Sequence, residues 1–106
     1  MARYEVVVSA RAERDVRDIV RYIAVELGQL DNAAVVVDEI DRAVADLASL
    51  PNRFRHVDSA YFAARGYRRM IVGQYIVFFT VAEAAHVVHV ERILHARRDW
   101  EPLLKP

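Results

Sequence analysis

Apolar residues recur along this chain in more than one rhythm, and each rhythm predicts an element. Near the start, Tyr4, Val6 and Val8 alternate with Arg3, Glu5 and Val7, a period of two that predicts a strand. Beyond Ser9 the spacing lengthens. Ala12, Val16, Ile19, Val20, Ile23 and Leu27 make one helical stripe, and Arg11, Arg14, Arg17 and Arg21 lie opposite among Glu13, Asp15 and Asp18. Ser9 stands where its hydroxyl can accept an orphan N–H of the first turn, and Gly28 suits the left-handed position that closes a helix. A second helix starts at Asp31 or Asn32 as cap. It turns Val36, Ile40, Ala43, Val44, Leu47 and Leu50 inward and ends at Pro51. Asp38, Glu39, Asp41 and Asp46 make its outer face acidic.

Two helices joined by about three residues run antiparallel and share an apolar face, which a hairpin cannot bury alone. Residues 52–65 show no period and read as a loop with a short turn of helix at most. From Gly66 onward the period of two returns in three runs of strand length. Gly73 permits the positive φ of a two-residue hairpin, so Val72 and Tyr75 face each other across it. Ala82-Glu83-Ala84-Ala85 has the length of a second hairpin connector. The order is strand, helix, helix, strand, strand, strand. This predicts an α+β fold, with a helix hairpin packed on one face of an antiparallel sheet.

Composition narrows the class. A length of 106 residues predicts one domain spanning 1–106, able to bury roughly two-thirds of its unfolded surface. Net charge is zero, which argues against a general nucleic-acid binder, but the halves differ. Residues 1–50 hold six Arg against ten acids, and residues 51–106 hold eight Arg and one Lys against five. The absence of Cys removes disulfides and Cys-based metal sites. Arg3 and Glu5 stand where a secretory signal needs its apolar core, and no apolar run approaches the roughly 20 residues of a membrane span. A cytoplasmic protein without membrane contact is the expectation.

Candidate chemistry is sparse. Neither a Gly-rich phosphate loop nor a Gly-x-Ser-x-Gly elbow occurs. His86 and His89 point to opposite faces of a strand, and His89 with Glu91 makes only two ligands, so no metal and no cofactor is expected. The basic residues that end the meander are more informative. Arg92 interrupts a Val-rich strand, and His95, Arg97 and Arg98 follow within six positions. Such a group can clamp a phosphodiester, with Arg stabilising developing charge and His moving a proton. It can equally be a structural knot, with Arg92 or Arg98 paired to Asp99 or Glu91. Arg68 and Arg69 face opposite ways on their strand, so one of them is available to the open side of the sheet.

Taken together, these features resemble the RelE/ParE superfamily, the toxic half of type II toxin–antitoxin pairs. The resemblance rests on Tyr4-x-Val6-x-Val8-Ser9, on Asp15, Asp18, Ile19, Tyr22 and Ile23, and on the Leu47-x-x-Leu50-Pro51 helix end. It continues through Gly66-Tyr67-Arg68, Tyr75-Ile76-Val77-Phe78-Phe79 and Arg92-Ile93-Leu94-His95-x-Arg97-Arg98-Asp99, so it covers nearly the whole chain. It implies the fold derived above and a cognate antitoxin encoded by an adjacent gene.

Two activities are implied. RelE-like members cleave mRNA on the ribosome, and here that reading would assign Arg68, Arg92, His95, Arg97 and Arg98 to catalysis. ParE-like members poison DNA gyrase and are not enzymes. The Ile-Leu-His-Ala-Arg-Arg-Asp ending resembles the ParE-like branch, and the one Lys, Lys105, sits in the tail. The expected contact residues for target and antitoxin are Arg68, Arg69, His95, Arg97, Arg98 and Trp100, the last as an aromatic anchor. An inactive homologue that only binds its antitoxin is the third reading.

Overall fold

The computed structural model describes residues 3–105. Strand β1 (Glu5–Val8) leads into helix α1 (Ala10–Arg21), which runs on through a π-helical turn at Tyr22–Glu26. Helix α2 (Leu30–Asp46) returns antiparallel to it, and a 3-10 turn at Pro51–Arg53 and a short helix α3 (Ala60–Ala64) follow. Strands β2 (Arg68–Val72), β3 (Tyr75–Ala82) and β4 (Val87–His95) come next, before helix α4 (Trp100–Leu104). The α+β order of the sequence reading is therefore present, with a helix hairpin over one face of a sheet.

Local chemistry explains most of the element ends. The Ser9 hydroxyl accepts the Ala12 N–H at 3.0 Å, as its position ahead of the stripe implies. Gly28 takes φ +64° where α1 must stop. Two ends differ from expectation. Gln29, not Asp31 or Asn32, precedes the first turn of α2; Asp31 lies inside that turn, where its charge favours the helix dipole. Leu50 does not face inward: α2 closes earlier through Ser49 N–H to Asp46 O, and Leu50 is exposed in the left-handed region at φ 48°.

The three-strand meander forms as read, including Val72 opposite Tyr75 across the tight turn. What the sequence did not place was the neighbour of β1. It lies parallel to β4, Glu5 beside Val87 through Val8 beside Val90, so the sheet is mixed, in the order β1-β4-β3-β2. A crossover through the helix pair permits this, because parallel neighbours need a long connection.

Both faces of the sheet are covered. Ala12, Ile40 and Leu47 from the helices pack on Val77, Phe79, Val88, Val90 and Ile93 to form the main core. On the other face, Ile76, Phe78 and Leu94 meet Val57, Phe62 and Leu104, with Trp100 packed alongside. The aperiodic stretch 52–65 and the C-terminal helix thus make a second layer. The expectation of an open sheet side beside Arg68 and Arg69 holds only at the outer corner of β2.

Candidate functional site

The residues singled out from the sequence fall into three separate places. Arg68 stands opposite Phe79, and His95 stands opposite Tyr75, four residues further along β3. They are therefore roughly 13 Å apart along the strand direction, at opposite ends of the sheet. Arg68 donates to the carbonyls of Asn52 and Phe54 and holds that loop against the sheet. Arg69 is half-buried on the second face, in the row of Phe78.

Arg92 belongs to a structural pair, but not with the partners expected. A bulge between Phe78 and Phe79 in the register of β3 leaves Glu91 as the extra residue of β4: Phe79 faces Val90 and Phe78 faces Arg92. The bulge re-aims the strand, so Val88, Val90 and then Ile93 point to the helices while Arg92 leaves that face. Its guanidinium grips Asp15 in a fork, Nε to Oδ2 and Nη2 to Oδ1, both at 2.8 Å, and also donates to Leu103 O.

Asp15 lies buried at the margin of the α1 stripe, not on its polar side. It accepts the Ile93 N–H at 2.9 Å as well, at the point where β1 has ended and the edge of β4 would otherwise be unpaired. Hydrogen bonding to Asp15 raises the Arg92 pKa, so the charge is fixed. One signal was legible: Asp15 follows Ala12 by three positions, which is helix-face spacing.

His95, Arg97 and Arg98 do stay together, on a turn closed by Arg98 N–H to His95 O at 3.0 Å. A second bond, Ala96 N–H to Gln74 O at 2.8 Å, ties this turn to the β2–β3 hairpin. Both ring nitrogens of His95 are engaged. Nδ1 accepts the Arg97 N–H at 3.1 Å, which leaves the proton of the neutral ring on Nε2, directed at Gln74 Oε1 at 3.2 Å. The ring meets Tyr75 edge-on at 5.4 Å. Arg97 and Arg98 are exposed, and neither is paired with a carboxylate among the described residues. Trp100 is no free anchor, since its ring packs 5.1 Å from Phe78 in the second core.

Beside this basic corner runs a groove that sequence reasoning missed. One cavity of about 450 Å³ opens between the helix hairpin (Ile23, Leu27, Val36, Ile40) and the β2–β3 turn. A second of about 430 Å³ continues past Ile19, Asp18 and Arg98, and Tyr22, Tyr75 and His95 line both. The π-helical turn widens α1 here, with Leu27 N–H reaching back five residues to Tyr22 O. It sits in an apolar surface: Tyr22 is 56% exposed, Val25 67% and Leu30 72%. Burial raises the pKa of Tyr75 on the far wall, with a smaller contribution from Tyr22. The Tyr75 phenol therefore stays neutral, and the groove is aromatic while the corner is cationic. No group of three or more metal-ligating side chains forms among the described residues, and none of their helices is long and apolar enough to cross a membrane.

Comparison with solved structures finds the same fold in chains of two toxin–antitoxin systems. The chromosomal ParDE toxin–antitoxin system from P. aeruginosa aligns with a TM-score of 0.74, at 18% identity over 92% of this chain and 100% of that one. The toxin–antitoxin complex RelBE2 from Mycobacterium tuberculosis aligns at 0.60, with 21% identity over 88% and 98%. A sequence search of curated proteins finds no match. Residues 6–100 match the family of the ParE toxin of the type II toxin–antitoxin system parDE, and the chain belongs to that family.

Proposed function

We propose that this toxin arrests growth by poisoning DNA gyrase, and that a cognate antitoxin encoded by the adjacent gene neutralises it. The antitoxin reading is supported by the groove, whose aromatic walls suit an apolar segment and whose rim at Arg98, next to the exposed Arg97, suits acidic residues. One observation carries the choice of gyrase: the His95 ring has both nitrogens occupied by protein partners. A general base must reach the proton it takes, so His95 would have to give up one of these bonds before it could act. Arg92 is held by Asp15, and Arg68 stands at the far end of the sheet. What remains at the corner is a charged contact surface without a free proton carrier.

Purified toxin is expected to block gyrase supercoiling or to leave gyrase-cleaved DNA, and to leave mRNA intact in a translating extract. His95→Ala and Arg97→Ala should lower potency in a graded way, as lost contacts do. Codon-spaced mRNA cuts that vanish in His95→Ala, with gyrase unaffected at high toxin concentration, would establish the ribosome-dependent nuclease instead.

A further inference from the structure

One margin of the sheet is only half closed. β2 is an edge strand, and the chain itself covers the first part of its outer side. Val57 N–H donates to Tyr67 O and Arg69 N–H to Arg55 O, each at 3.1 Å, with His56 bridged antiparallel to Arg68. The cover ends there, because residues 51–53 turn into a 3-10 helix whose Arg53 side chain is tied to the end of α2. Hydrogen-bonding direction alternates along an antiparallel strand, so the N–H and C=O of Ile71 point outward, as the Arg69 N–H does. The Ile71 side chain is 62% exposed beside them. No proline or bulge guards this stretch, and an unguarded apolar edge is a template for another strand.

We propose that this edge receives an extended segment of the antitoxin, added antiparallel to β2 in line with residues 55–57. The proposal rests on the antitoxin reading above. Two observations select this occupant. Only Met70 to Val72 are free, about 10 Å of strand, too little to hold two folded copies together. That length suits a segment already anchored nearby, and the groove opens at Val72, Gly73 and Tyr75, next to the same edge.

Charge is the second observation. The incoming strand would end against Arg69 and Arg55; Arg69 is paired with no carboxylate among the described residues, and Arg55 has only an exposed contact at 3.6 Å to Asp58. A segment with an apolar residue beside Ile71 and acidic residues at its leading C-terminal end satisfies both. A second copy of β2 reads Arg-Arg-Met-Ile-Val and offers no acid.

Ile71→Pro is the direct test. Its missing N–H lies on the outward side, so the internal ladder stays whole, and circular dichroism and thermal melting report whether the fold is retained. With the product of the adjacent gene as titrant, we expect Ile71→Pro to weaken binding at least about tenfold, as loss of one or two backbone bonds does. Ile71→Val keeps the N–H and should bind within roughly twofold of wild type. Amide exchange on the wild-type protein decides the matter even if the proline variant misfolds: the Ile71 amide should exchange freely alone and slow at least about tenfold in the complex. Wild-type-like binding by a folded Ile71→Pro, or unchanged exchange at Ile71, overturns the added strand. Protection that rises with concentration of the toxin alone assigns the edge to a second copy and overturns the proposed occupant. If the wild type does not bind the neighbouring product at all, the antitoxin reading fails first and the strand falls with it.

Discussion

Asp15 shows how much one side chain can hold. Its carboxylate accepts from the Arg92 fork and from the Ile93 amide, and so joins α1 to the edge of β4 that β1 leaves unpaired beyond Val90. Both side chains are nearly buried, at 9% and 12% exposure. Removing one partner of such a pair leaves an uncompensated charge, and this outweighs the modest net worth of the pair itself. Asp15→Ala is expected to lower unfolding free energy by about 3–5 kcal/mol in urea titration. Adding Arg92→Ala should then cost less than its effect alone. A single-mutant loss under about 1 kcal/mol would mean that water or another carboxylate replaces Asp15. A mutational scan must read Arg92 and Trp100 with this in mind, because both support the fold that carries His95, Arg97 and Arg98.

Among the elements, the end of α2 carries strain that the sequence pattern hides. Leu50 sits at φ 48° and ψ 54°, immediately before Pro51. A left-handed conformation crowds the Cβ of a branched side chain, and a following proline favours extended backbone instead. The side chain gains little in return, because it is exposed. Leu50→Gly should therefore stabilise the fold by about 1 kcal/mol, a rise in Tm of roughly 4–8 °C for a domain of this size. A lower melting temperature would show that the exposed Leu50 makes contacts worth more than the strain.

For the molecule as a whole, β3 is the place where everything meets. Val77, Phe78 and Phe79 are fully buried, with strands on both sides and a core on each face. Amides of residues 75–81 should exchange most slowly, at rates set by global unfolding, while the ends of α1 and α2 exchange through local opening. A slowest core confined to the helices would contradict this layering. The same layering places the groove, since the hairpin tip, the β2–β3 turn and the end of β4 converge at one end of the sheet.

Much of this was legible in local pattern. Period and punctuation located β1, the two long helices and the meander, because Ser9, Gly28 and Gly73 act through their own backbone geometry and need no distant partner. The motifs at Asp15, Gly66 and Arg92 pointed to the family for the same reason, as residues read in order. The parallel seat of β1 was not legible, since pairing between residues 5–8 and 87–90 depends on how the helix pair crosses over. Nor was the bulge at Glu91, which a strict period of two cannot represent and which turns Arg92 from the helix face toward Asp15. The groove arises only when three segments distant in sequence pack together. Position along the chain determined what each segment could be; burial and long-range hydrogen bonding decided which charges were structural and which, such as Arg97 and Arg98, stayed exposed.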